Sequence, residues 1–301
     1  MIPAAEATQL QKRFGSLRAV DGVNLHLYPG EVLAFLGPNG AGKTTTVKMM
    51  AGLLYPDGGQ VRLLGKNPHQ DPWALRHLGA MLEGNRNVYW RMTPLENLVY
   101  FGVARGLRLR EAQRRALELL EKLELKEKTH TEVRHLSRGM QQKLSLGVAL
   151  MHDPEVLLLD EPTLGLDVES ALRVEEMIRE MTQSGKAILL TTHQLEVAQR
   201  LAQRVAIIQR GRIVLEGRTA EVLARFAGEH YLIELDTPLS PQQLAALRSL
   251  GLEGQGPTYV YQGDNEGLWR LLEALKPLPI KKVARAEADL LEVFLKVVNH
   301  V

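Results

Sequence analysis

Residues 37–44 read Gly-Pro-Asn-Gly-Ala-Gly-Lys-Thr, and few eight-residue stretches restrict a chain so strongly. The spacing G-x-x-x-x-G-K-[ST] describes a loop whose glycines let successive backbone N–H groups curl around an anion. Such a loop needs a strand before it and a helix after it, so that the helix N-terminus adds its partial positive charge. Both are legible. Glu31–Leu36 reads as a short buried strand and Thr44–Leu54 as a helix facing the loop. Phosphate contacts are therefore expected from Gly37, Pro38, Asn39, Gly40, Ala41, Gly42, Lys43, Thr44 and Thr45. Lys43 is expected to reach the outer phosphates of a nucleotide, and the Thr44 hydroxyl to ligate Mg²⁺.

Val156–Asp160 is a continuous apolar run ending in a carboxylate, followed by Glu161-Pro162. A run apolar at every position suits a strand buried on both faces of a parallel sheet, which makes the fold class α/β. Ligands of such sheets gather at the C-terminal strand ends. Asp160 is placed to hold Mg²⁺ through water, and Glu161 to polarise an attacking water. A further buried strand, Lys186–Thr192, delivers His193 to the same end, where a neutral imidazole can hydrogen-bond a phosphate or the water.

Composition limits the partners. The 301 residues are 45% apolar and 24% charged, with 37 Lys and Arg against 35 Asp and Glu. A net charge of +2 with interleaved signs, as in residues 110–128, lacks the basic stripe of a nucleic-acid binder, and no such partner is expected. No cysteine is present, which excludes disulfides and thiolate metal sites. No 18-residue apolar stretch occurs, so no membrane span is expected within this chain.

Between these elements lies His135-Leu136-Ser137-Arg138-Gly139-Met140-Gln141-Gln142-Lys143, ahead of a helical run to Met151. With the other motifs, this resembles the LSGGQ signature of the ATP-binding cassette family. The resemblance covers about residues 5–220. It includes Thr163–Asp167, similar to the loop that crosses between partners, and His193, similar to the switch histidine. Phe14 occupies the place of the aromatic that stacks on adenine.

The resemblance implies a P-loop NTPase fold with a RecA-like core sheet, an N-terminal β-subdomain and a helical signature subdomain near residues 85–150. It implies that two cassettes, identical or related, pair head to tail around two ATPs with Mg²⁺. Ser137, Arg138, Gly139 and Met140 of one would then face the γ-phosphate held by the other. Catalysis would fall to Glu161, His193 and Lys43. It also implies an ATPase on the cytoplasmic face of the membrane, beside a separately encoded integral-membrane permease, with an exporter favoured. A soluble cassette acting on ribosomes or another non-transport partner is the other reading, although the ribosomal kind usually carries two cassettes in one chain and only one phosphate loop is present here. The gap from 43 to 137 is too short for the coiled coil of a chromosome or repair ATPase.

Two departures stand out. LSRGM replaces a glycine with Arg138 and a glutamine with Met140. Glu83 stands where the family has a Gln that touches Mg²⁺, and is expected to keep that role. Beyond it, Tyr89, Trp90 and Met92 suit either a partner-binding groove or the interior of the helical subdomain.

After Gly217 the cassette pattern ends. Strands at 231–236, 258–261 and 280–283 alternate with helices at 241–250, 267–275 and 289–298. The expectation is a nucleotide-binding domain over 1–220 and a small accessory α+β domain over 221–301. Accessory domains of this kind occur in the family on cassettes serving permeases of the drug or polysaccharide export type.

Overall fold

The computed structural model describes residues 2–82, 88–226, 230–285 and 289–299. Two compact units emerge: Met1–Thr219 with Phe294–Val301, and Ala220–Val293.

The first unit opens with β1 (Ala5–Phe14), β2 (Leu17–Leu27), β3 (Val32–Leu36), α1 (Lys43–Met50), β4 (Gly58–Leu63) and β5 (Leu78–Met81). Three helices follow: α2 (Pro94–Ala104), α3 (Leu109–Lys122) and α4 (Arg138–Leu150). The chain then alternates through β6 (Val156–Asp160), α5 (Val168–Gln183), β7 (Ala187–Thr191), α6 (Leu195–Leu201), β8 (Arg204–Gln209) and β9 (Arg212–Arg218). These strands make two sheets. An antiparallel sheet runs β2-β1-β4, and a six-stranded sheet runs β5-β6-β7-β3-β8-β9, parallel except for β9.

The apolar strands behave as their composition demands. All five residues of β3, β6 and β7 are buried. Leu33, Phe35, Leu158 and Leu189 from these strands join Leu10 and Leu25 of the antiparallel sheet and Val47, Met49 and Met50 of α1 in one core. Burying one such side chain contributes about 1.5–3 kcal/mol, so the strand ends that carry polar groups are held by a rigid base.

Helix α1 is shorter than the expected 44–54. Gly52 adopts φ +72°, its N–H donates to Met49 O, and Leu53 N–H donates to Lys48 O. That pair of bonds closes the helix in a left-handed cap although the apolar pattern runs on through Leu53 and Leu54.

The helical group is stapled at its helix starts. Thr93 and Glu96 form a reciprocal capping box with Pro94 in the first turn of α2. Ser137 caps α4 by accepting from Met140 N–H at 3.2 Å, and Asp167 caps α5 by accepting from Ser170 N–H at 2.9 Å. The last turns of α10 (Leu290–Asn299) belong to this unit, where Gln209 Nε2 donates to Val298 O at 2.9 Å.

The second unit begins with α7 (Thr219–Phe226) and continues through β10 (His230–Leu235), α8 (Pro241–Arg248), β11 (Leu252–Gln255), β12 (Thr258–Gln262), α9 (Asn265–Ala274) and β13 (Ile280–Arg285). Its antiparallel sheet has the order β11-β12-β10-β13, which is the strand–helix–strand arrangement of a split βαβ unit repeated twice. Ile233, Leu235, Tyr259, Tyr261, Leu268 and Leu271 form its own small core. Strand β11 was not expected, because Leu-Glu-Gly-Gln has neither alternation nor β-branched residues. Its pairing comes from the hairpin with β12, and Gly254, at φ +143°, sits where a Cβ would lie 2.8 Å from Thr258 O.

Candidate functional site

The C-terminal ends of β3, β6 and β7 open into one cleft. Phe14, Leu17, Ala19, Asn39, Gly40, Gly42, Lys43, Thr44, Thr45, Asp160, Glu161 and His193 line it. Residues separated by up to 179 positions in the chain thus meet there, because a parallel sheet delivers every strand end to the same side.

The loop between β3 and α1 is tightly specified. Gly40 and Gly42 adopt φ +76° and +111°, where side-chain-bearing residues are disfavoured. A Cβ on Gly42 would lie 2.4 Å from Ala19 O, and one on Gly37 would lie 2.3 Å from Ile208 O. The β8–β9 turn supports the loop from behind, with Gly211 N–H donating to Ala41 O at 2.9 Å. Lys43, 8% exposed, folds across the loop and donates to Gly37 O at 2.6 Å and Pro38 O at 3.1 Å. Gly37, Pro38 and Ala41 are not among the residues that line the cleft.

At the opposite wall, Asp160 and Glu161 are each 4% exposed. The Asp160 carboxylate accepts from the Thr191 hydroxyl of the neighbouring strand. Glu161 adopts φ +53° and presents Oε1 3.5 Å from His193 Nε2. His193 is half exposed, at the mouth of the cleft. Phe14, at the end of β1, is half exposed with the Lys12 ammonium 5.9 Å from its ring centre. A flat aromatic face beside a phosphate-shaped loop can stack a planar base.

The residues present fit a divalent cation that arrives with a phosphate ligand. Thr44 supplies a hydroxyl and Asp160 a buried carboxylate to the same cleft. Among the described residues no group of three or more His, Asp or Glu could form a metal cage. Mg²⁺ is usually held this way, by one or two side chains plus phosphate oxygens and water. Glu83, the third expected ligand, lies outside the described residues.

Ser137, Arg138, Gly139 and Met140 do not line this cleft. Ser137 and Arg138 are exposed at the head of α4, and a Cβ on Gly139 would lie 3.3 Å from Leu166 Cδ2 and 3.4 Å from Gly165 O. The head of α4 therefore presents a hydroxyl and a helix N-terminus outside the cleft. Tyr89 packs within the helical group while keeping much of its ring exposed, and Trp90 is more exposed still. The Tyr89 ring stacks on Phe101 at 5.7 Å and meets Tyr100 edge-on at 5.2 Å, yet it stays 48% exposed and Trp90 55%.

Sequence reasoning missed Gln142, whose side-chain amide donates to Glu161 O at 2.7 Å. It lies within the stretch quoted above, but nothing in its spacing points to β6. Among the described residues no helix is long and apolar enough to cross a membrane.

Comparison with known proteins agrees with this geometry. Residues 20–164 match the family model described as "ABC transporter". The Nod factor export ATP-binding protein I of Paraburkholderia xenovorans (strain LB400) is 39% identical over 226 residues, covering 75% of this chain and 74% of that protein. The daunorubicin/doxorubicin resistance ATP-binding protein DrrA of Streptomyces peucetius is 33% identical over 306 residues, covering 99% and 93%. Among solved structures, an ATP binding subunit of an ABC transporter superposes with a TM-score of 0.70 at 30% identity, covering 74% of this chain and 93% of that one.

Proposed function

We propose a working role from the premise that this chain belongs to the ABC transporter family. It is an ATP-binding, ATP-hydrolysing subunit of that family with export-type relatives. In our reading it energises an exporter of the drug or polysaccharide type. It works as a head-to-tail dimer, with itself or a related cassette, on the cytoplasmic face of a membrane. A separately encoded permease carries the substrate. The accessory domain starts near the expected residue 220 but ends at Val293, and residues 294–301 return to the nucleotide-binding domain.

One observation supports the dimer: the cleft gathers the phosphate loop, Asp160, Glu161, His193 and Phe14, while Ser137 and Arg138 at the head of α4 are exposed and outside its lining. One chain supplies two half-sites that it cannot itself close. A second copy related by a two-fold axis brings each half against the other.

The chemistry follows from placement. Lys43 and the N-terminus of α1 neutralise the β- and γ-phosphates, exchanging the bonds Lys43 makes to loop carbonyls for bonds to phosphate oxygens. Phe14 stacks on adenine. Thr44 and Asp160 would hold Mg²⁺, which would neutralise phosphate charge when bound. Glu161 accepts a proton from the attacking water, and His193, 3.5 Å from its carboxylate, orients that water and the γ-phosphate. Ser137 and the amides near Gly139 of the second chain complete the phosphate's ligands. Positioning and fixed charge lower the barrier here, with no covalent intermediate.

Replacing Glu161 with Gln keeps its size and removes the base. The expected outcome is a fall in ATPase rate of about 10²–10⁴-fold, together with an ATP-dependent dimer on size exclusion. A variant that stays monomeric with ATP at high protein concentration refutes the head-to-tail arrangement.

A further inference from the structure

Three consecutive side chains at the head of α4 reach in three directions. Gln141 Nε2 donates to Val133 O and Leu136 O at 3.2 and 3.1 Å, and Lys143 Nζ to Glu124 Oε2 at 3.1 Å. These three bonds tie α4 to the helical group. Gln142 between them crosses to the core sheet, donating to Glu161 O at 2.7 Å.

The peptide it grips is special in two ways. Glu161 sits at φ +53°, a region that L residues other than Gly enter only when their surroundings hold them there. The following residue is Pro162, so the peptide after Glu161 has no N–H and can be fixed only through its carbonyl. That carbonyl accepts from Gln142 and from Leu164 N–H at 3.2 Å, while Glu161 N–H donates to Thr191 O at 3.0 Å. Turning this peptide swings the Glu161 carboxylate relative to His193.

We propose that Gln142 is a positioning residue that couples the two nucleotide sites of the dimer through Glu161. This rests on the head-to-tail reading above. Ser137 and Gly139 lie one turn before Gln142 on the same rigid helix. When they engage the nucleotide held by the second chain, α4 shifts, and Gln142 carries the shift to the peptide that orients Glu161 in its own chain's site. Engagement at one site thereby sets the base at the other, which is a coupling between distinct sites through a named element.

The test uses Gln142→Leu, which keeps the bulk and removes the donor, with Gln142→Met as a second apolar variant in case one fails to fold. Gln142→Lys restores a donor. Binding of a fluorescent ATP analogue to the full chain is expected to change less than about twofold, while kcat falls about 10- to 100-fold, the cost of misplacing a reacting group. The Hill coefficient for ATP hydrolysis falls towards 1, and Gln142→Lys recovers both. Unchanged kcat and Hill coefficient in the folded apolar variants overturn the inference, as does a wild-type Hill coefficient of 1. A loss that Gln142→Lys fails to recover overturns it too. Size exclusion of Glu161→Gln keeps the two claims apart. If that variant dimerises with ATP while Gln142→Leu stays cooperative, only the coupling fails; if it never dimerises, the dimer reading fails.

Discussion

Gly40 and Gly42 look interchangeable in the phosphate loop, yet they are required for different reasons. Both have positive φ, but a Cβ on Gly40 would meet nothing within 4 Å, whereas one on Gly42 would lie 2.4 Å from Ala19 O. Gly40→Ala is expected to cost about 1–2 kcal/mol, the ordinary penalty of a left-handed alanine. Gly42→Ala adds overpacking against backbone and is expected to cost about 2–5 kcal/mol in all. Denaturant unfolding of the two variants checks the order, and equal losses contradict it. The motif was legible in residues 37–44, but this distinction was not. Ala19 and Ile208 approach the loop from distant parts of the chain, and no local pattern announces them. Gln142 was hidden for the same reason: its partner lies on another element.

At the scale of elements, the C-terminal end of α4 is pinned to its neighbours. Arg115 Nη2 donates to Leu150 O at 3.1 Å, a cation at a helix C-terminus. Next to it, His152 hydrogen-bonds Leu78 O at 3.0 Å, and burial, with the nearby charge of Arg105, lowers its pKa from 6.5 to about 4. The folded state therefore binds fewer protons than the unfolded chain between those values. Stability contributed by neutral His152 is present above pH 6.5 and is lost as the pH falls from 6.5 to 4. The loss is of order 1–3 kcal/mol, reduced because the ring is not fully buried. His152→Gln is expected to flatten that part of the stability–pH curve. His69, half-buried with its ring bonded to Met49 O and its pKa also lowered by burial, leaves a residual slope in both proteins. An identical slope in wild type and variant contradicts the assignment. Elements built on continuous apolar runs, such as β3, β6 and β7, were legible to within a residue. The end of α1 and the whole of β11 were not, since both depend on glycine geometry and pairing rather than on hydrophobic period.

The whole molecule poses the question of completeness. Lys43→Ala disables the phosphate loop, and Ser137→Glu sets a charge against the incoming phosphate; each protein alone is expected to be inactive. If sites form across two chains, mixing the two gives some dimers with one intact site, made from the phosphate loop of one variant and the α4 head of the other. With free exchange, independent sites would return activity to about a quarter of wild type by two-fold symmetry; the coupling through Gln142 lowers that recovery by a further factor of about 10 to 100, because the intact site lacks engagement at its partner. A mixture that stays inactive at every ratio, despite proven exchange, argues for sites within one chain. No reading of a single chain can show a seam between two. That Ser137 is exposed and does not line the cleft holding Lys43 emerged only from the fold. The accessory unit was legible as alternating strands and helices, but its strand order emerges only from pairing.

The bond from Gln209 to Val298 has a practical meaning for anyone handling this protein. Gln209 is 8% exposed, and its Oε1 has no hydrogen-bond partner among the described residues. Cutting the chain back to remove the accessory unit would also strip the acceptor from its amide, two residues from the Gly211 that braces Ala41. A clean excision must therefore spare the last helical turns or replace Gln209 with an apolar residue, or the trimmed cassette will report a damaged nucleotide loop as if it were an intrinsic property.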